Sequence, residues 1–223
     1  MEENKSNPSK QPSCTQAASD AIRLRSATLS DKPSLVEMHE RLWDRSELSQ
    51  RLGPRAIDAF YDVALSKKAS MVLLAEANGE TVGYVTLIWD YIAFDATMFQ
   101  RHGAVLMGMA VCHVLKHPLS VPELLRAQKI ERRKKKLSEC IPAHLGAIAI
   151  DPFALIRHRV NGIGTLLVDE VHEKARAVGV RDVWASTKRE NAAALRMLKH
   201  AGYAELRNEK ADPVVILVKS LSH

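Results

Sequence analysis

The apolar run Ile148-Ala149-Ile150 stops at Asp151-Pro152, and soon afterwards comes Arg159-Val160-Asn161-Gly162-Ile163-Gly164-Thr165-Leu166-Leu167. A strand that leads through a loop into a Gly-x-Gly turn, with an amphipathic helix beyond it, suits an anion. The first turn of a helix leaves N–H groups without intrahelical partners, and the helix dipole adds partial positive charge there. Glycine lets the backbone approach a ligand closely, so the amides from Val160 to Thr165 can cradle a pyrophosphate, with Arg159 as a fixed cation upstream. The same two glycines also suit a tight turn with close helix–strand packing and no ligand. The turn is not a P-loop, because no Gly-Lys-Ser/Thr follows. It is a poor dinucleotide fingerprint as well: Leu167 stands where the third glycine belongs, and Asp182 falls near the start of the next strand, away from a ribose.

The elements that must position this turn follow from periodicity. Ile22 to Arg25 alternates as a half-buried strand. Ser30 with Pro33 reads as a helix start, followed by Leu35, Met38, Leu42 and Trp43 at helical spacing. A second helix begins near Gly53-Pro54, with Ile57, Phe60, Tyr61 and Ala64 on one face. Met71–Ala75 and Thr81–Trp89 flank Asn78-Gly79, the strongest short hairpin signal. From Asp90 to Pro142 the pattern becomes helical, with breaks at His117-Pro118 and near Pro122. Strand pattern resumes over His144–Ile150. A helix over 162–177, a strand over 180–186, a helix over 192–200 and two closing strands complete the order. This predicts an α/β fold built on a mixed, partly parallel twisted sheet flanked by helices, with a helical insertion between the third and fourth strands.

The 223 residues, 46% apolar and 26% charged, are enough for a hydrophobic core and exclude a wholly disordered chain. Residues 1–20 are polar and read as a disordered tail, leaving 21–223 as one domain with 90–142 as its insertion. The tail has no apolar h-region of a signal peptide. Cys14, Cys112 and Cys140 show no CxxC spacing, so neither a disulfide framework nor a zinc site is expected, and a reducing cytoplasm fits. Aromatics at 5% supply no stacking platform for single-stranded nucleic acid. The net charge of +6 is local: Lys129–Lys136 holds six basic residues and one acidic, and outside it 26 basic face 25 acidic. Specific nucleic-acid binding is therefore not expected.

Arg159-x-x-Gly162-x-Gly164 after Ala-Ile-Asp-Pro resembles the acetyl-CoA signature of the GNAT superfamily of N-acetyltransferases. A second segment, Asn191 to Tyr203, is similar to that family's closing motif. The two motifs stand in the right order about 30 residues apart, and the resemblance spans roughly 21–219. It implies acetyl-CoA as co-substrate and no metal. The pyrophosphate would rest on Val160, Asn161, Gly162, Ile163, Gly164 and Thr165, beside Arg159. The pantetheine arm would pair with a splayed strand over Ile148, Ala149 and Ile150. An N–H of Ala149 or Ile150 would face the acetyl oxygen, and Asn191 the far side of the cofactor. Transfer would be direct, in a ternary complex, to a primary amine of a small molecule or peptide, since no Cys or Ser sits in a nucleophile-like setting.

Three departures qualify that expectation. Six residues separate Pro152 from Arg159, where the family commonly has about two. Leu198 holds the place of a Tyr that protonates the leaving thiolate in many members. His144 holds a place where some members carry a Glu that serves as base, and an imidazole near its ordinary pKa of about 6.5 suits that task. A non-catalytic acyl-CoA-binding scaffold, or a transferase with another acyl donor, are the alternatives. The apolar stretch Gly103–Leu115 is too short to span a bilayer. Burial in the domain is the first expectation for it, and a homodimer interface or peripheral membrane contact through 103–136 are the others.

Overall fold

Asn78 and Gly79 take left-handed φ values of 52° and 81°. This two-residue turn joins β2 (Ser70–Ala77) to β3 (Glu80–Ile88), as the dipeptide predicts. The computed structural model describes residues 22–43, 52–206 and 213–221; the expected tail, 1–20, lies outside the described residues. Ahead of the hairpin come β1 (Ile22–Ser26), α1 (Lys32–Leu42) and α2 (Pro54–Ala64). The chain enters α1 through a 3-10 turn, Leu29–Asp31, so Thr28 and Asp31 form the capping box and Ser30 does not cap the helix.

After the hairpin come α3 (Tyr91–Lys116), α4 (Val121–Ser138), β4 (Ala143–Ile150), α5 (Pro152–His158), α6 (Ile163–Ala177), β5 (Asp182–Lys188), α7 (Ala192–His200), β6 (Ala204–Glu205) and β7 (Val214–Ser220). The seven-stranded sheet has the order β1-β2-β3-β4-β5-β7-β6. Its neighbours are antiparallel except β4 and β5, which makes it the mixed, partly parallel sheet expected.

Alternation along the strands sends side chains to two cores. Leu73, Ala75, Val85 and Leu145 pack with Leu167, Val168, Val171 and Leu198 under α6 and α7. Val72, Leu74, Tyr84, Ala147 and Ala149 pack with Leu35, Met38, Ile57 and Tyr61 under α1 and α2. The six residues after Pro152, expected as loop, form most of α5. Asp151 explains this: its Oδ1 accepts from the Phe153 and Ala154 amides at 3.0 and 3.3 Å, and Pro152 suits the first turn.

The insertion is a helical hairpin rooted in the domain. The Tyr91 hydroxyl donates to Glu131 at 2.9 Å and Lys135 pairs with Asp95 at 3.3 Å, tying the start of α3 to the end of α4. Phe94 packs on Phe60, and His102 meets Asp62 of α2 at 3.1 Å. The expected burial of Gly103–Leu115 is not what the structure has. Only Phe94 and Gly103 of α3 are buried, and among the described residues its outer apolar side chains, such as Met107, Val111 and Leu115, stay exposed.

Candidate active site

β4 and β5 pair over only three positions, Ala143 with Val183, His144 with Trp184 and Leu145 with Ala185. Beyond these, β5 continues against β7 and β4 continues against β3, so a wedge opens between the two parallel strands. The wedge begins at an irregularity. Leu87 faces Leu145 and Val85 faces Ile148, so Gly146 and Ala147 together oppose Thr86 as a β-bulge. A Cβ on Gly146 would lie 3.3 Å from the Thr86 carbonyl oxygen and 3.5 Å from its Cβ, so the bulge favours glycine there.

Ladder geometry decides which amides line the wedge. The Asp151 N–H donates to the Val82 carbonyl on β3 at 2.9 Å. Successive backbone groups point to opposite edges of a strand, so Ile148 and Ile150 present theirs to the wedge. Ala149 lies opposite Tyr84, with its N–H turned to β3. Of the two donors expected, Ile150 faces the wedge and Ala149 does not.

The two glycines of the turn have separate roles. Gly162 takes φ +74° as the N-cap of α6, with open space where a Cβ would stand. Gly164 sits where a Cβ would come within 2.7 Å of Met197 Sδ and 2.8 Å of Ile150 Cδ1. It lets α6 close on β4 and α7. Asn161 and Gly162 are exposed, Thr165 is half-buried, and Val160 and Ile163 sit in the core. The side chains of Val160 and Ile163 are therefore structural, and the Val160 amide donates to the Leu155 carbonyl at 3.1 Å. Arg159, at φ +53°, ends α5. Asn191 is exposed, and its Oδ1 caps α7 by accepting from the Ala194 amide at 3.0 Å.

His144 is not a solvent-facing imidazole. Its ring stacks on Trp184 at 3.8 Å between centroids and meets the edge of Tyr91 at 5.4 Å. Burial, reinforced by the Lys134 charge, pushes its pKa well below the ordinary value, and its buried Nδ1 has no hydrogen-bond partner among the described residues. Leu198 is 3% exposed in the core. Tyr203 is buried too, with its hydroxyl 3.0 Å from His172 Nε2.

One cluster escaped the sequence reading. His39 Nδ1 lies 3.0 Å from the Tyr61 hydroxyl and 3.2 Å from that of Tyr84, with Trp43 stacked on the imidazole at 4.4 Å. The signal was available, because His39 follows Met38 on the apolar stripe of α1. The trio lies behind β4, under Ala149. Nearby, Arg41 Nη2 donates to Asp151 Oδ2 at 2.6 Å. Burial would raise the Asp151 carboxyl, but Arg41 and the two capping amides outweigh it and hold the pKa below the usual carboxylate value.

Solved structures share this architecture. SsHAT superposes with a TM-score of 0.63 at 17% identity, covering 91% of this chain and 100% of its own. yncA from Salmonella typhimurium, solved with its cofactor acetyl-CoA, gives 0.54 at 15% identity, covering 91% and 95%. The ribosomal-protein-S18-alanine N-acetyltransferase from Escherichia coli gives 0.52 at 13% identity, also covering 91% and 95%. No curated protein matches the chain. Residues 101–203 match the model of the acetyltransferase (GNAT) family. That match takes in the segment from α3 to Tyr203, and the solved neighbours share the fold of the rest.

Proposed function

We propose that the protein acetylates a primary amine by direct attack on acetyl-CoA in a ternary complex. The observation that carries this reading is the wedge: β4 leaves β5 at a bulge, and its Ile148 and Ile150 backbone groups face the opening without a strand partner among the described residues. An extended pantetheine arm has amides of its own to pair with that edge. The first-turn amides of α6, at the far end of the wedge, suit a pyrophosphate, and Arg159 adds positive charge close by. Asn191, at the start of α7 on the β5 side, would border the cofactor opposite β4. The Ile150 N–H is the donor for the charge that develops on the acetyl oxygen at the transition state.

Leu198 supplies no proton to the leaving group, and none is required. A thiol of ordinary pKa, about 8.5, leaves readily as its thiolate. The incoming amine must be neutral. Burial disfavours an imidazolium at His144, so in this reading the proton passes to water and His144 packs the junction of β4 and β5. Cys112 and Cys140 are both free and exposed, which fits a reducing cytoplasm.

Initial rates of CoA release with a panel of amino sugars, polyamines, amino acids and peptide N-termini test the proposal. Intersecting double-reciprocal plots with an amine are expected. Parallel plots would indicate a covalent enzyme intermediate, and acetyl-CoA binding without turnover on any acceptor would favour a scaffold.

A further inference from the structure

Residues 91–138, the α3–α4 hairpin, hold nine basic residues and three acidic, a net charge of +6, while the rest of the chain is balanced with 23 of each. The whole net charge of the protein therefore sits on this hairpin. Apolar side chains occupy its outer end. Met107, Val111, Leu115, Leu119 and Leu125 are between 52% and 93% exposed, and the chain turns by 114° between the two helices. Along α4, Leu124, Ala127, Ile130, Lys134 and Leu137 are half-buried, while Arg126, Lys129, Arg132 and Lys136 are exposed. The result is an apolar elbow beside a cationic helix face, held away from the domain by the contacts at its base.

Three kinds of partner can be weighed against that arrangement. A second copy would bring an equally cationic hairpin against this one. A nucleic acid would satisfy the cations but offers no hydrocarbon to Leu115, Leu119 and Leu125. An anionic lipid surface satisfies both, with headgroups for the cations and acyl chains for the elbow. Neither helix alone is long and apolar enough to cross a bilayer. We propose that the α3–α4 hairpin docks on the surface of an anionic lipid bilayer, its elbow entering the headgroup–acyl boundary and the α4 cations lying over the phosphates.

The test is co-sedimentation of the full chain with vesicles of phosphatidylserine and phosphatidylcholine, against vesicles of phosphatidylcholine alone. Binding to the first and not the second is expected, falling as salt rises. A variant carrying Arg126→Gln, Lys129→Gln, Arg132→Gln and Lys136→Gln should lose at least about a hundredfold in partitioning. A variant carrying Leu115→Ser, Leu119→Ser and Leu125→Ser, with every charge kept, should lose about tenfold or more. These side chains are exposed, so wild-type far-UV circular dichroism and melting are expected in both variants and separate lost docking from lost fold. No wild-type binding at low salt would overturn the proposal. So would unchanged binding by the leucine variant, as for a face that takes any polyanion, nucleic acid included. A stable dimer in sedimentation equilibrium that the leucine substitutions dissolve would assign the elbow to a second copy instead.

Discussion

Arg41 reaches Asp151 across 110 positions of sequence, and the 2.6 Å contact fastens α1 to the residue that both ends β4 and caps α5. The carboxylate has 4% of its side chain exposed and the guanidinium 48%, so the two ends of this contact are unequal in value.

Asp151→Ala removes the cap and strands part of the bond network, and it is expected to cost about 2–3 kcal/mol. Arg41→Ala, at an exposed cation, should cost about 1 kcal/mol or less. Because the Asp151 pKa is lowered from the usual 3.8, its contribution is complete above that pH and is lost as pH falls through the lowered value. Urea denaturation of both variants at neutral and at acid pH measures each part.

Gly162 and Gly164 should fail differently. Gly162→Ala meets no neighbour but must adopt φ +74°, costing about 1–2 kcal/mol and loosening the start of α6. The expected outcome is a KM for acetyl-CoA raised about tenfold with kcat nearly kept. Gly164→Ala presses on Ile150, whose N–H lines the wedge, and should lower kcat as well. Steady-state kinetics of the pair separates the two.

At the bulge, Gly146→Val drives a branched side chain against the Thr86 backbone and moves the strand that carries the Ile148 and Ile150 amides. A displacement of the order of 1 Å at a reacting centre costs about a hundredfold. The loss should fall on kcat more than on KM, and burst-free initial rates would show it.

Acid sensitivity should come from histidines held neutral. Burial lowers both His39 and His172 to about 4, helped for His172 by the Lys219 and Arg176 charges. The unfolded chain, with histidines near 6.5, binds protons first, so stability falls as pH drops below 6.5. Each of the two contributes about 2 kcal/mol of that loss by about pH 5. The double variant His39→Gln, His172→Gln should flatten the decline of Tm over that range. His144→Gln should leave the pH dependence of kcat unchanged; loss of its acidic limb would restore His144 as the base.

The sequence carried the frame of the fold because its signals were local: Asn78-Gly79, the Gly162 turn, the apolar stripes. It carried less of what depends on register. That Ile150 faces the wedge and Ala149 faces Tyr84 follows from one hydrogen bond between Asp151 and Val82, 69 positions apart, and no spacing rule reports it. His144 looked like a surface imidazole at a strand start because Tyr91 and Trp184, which enclose it, come from elsewhere in the chain. The His39–Tyr61–Tyr84 cluster was hidden in the same way, three polar tips on three separate apolar stripes. Gly103–Leu115 erred in the other direction: a mostly apolar stretch of thirteen residues implied a covered helix, and among the described residues only Gly103 of it is buried.

The short pairing of β4 with β5 has a mechanical side. Strands β1 to β4 and strands β5 to β7 are two half-sheets joined by three ladder positions and by the His144–Trp184 stack, which acts as a rivet at the closed end of the seam. The core under α6 and α7, from Leu73 and Val85 to Val183 and Leu217, holds the halves together where the ladder stops. Whatever occupies the wedge adds a further tie across that line, and amide exchange at Ile148 and Ile150 should slow when it binds.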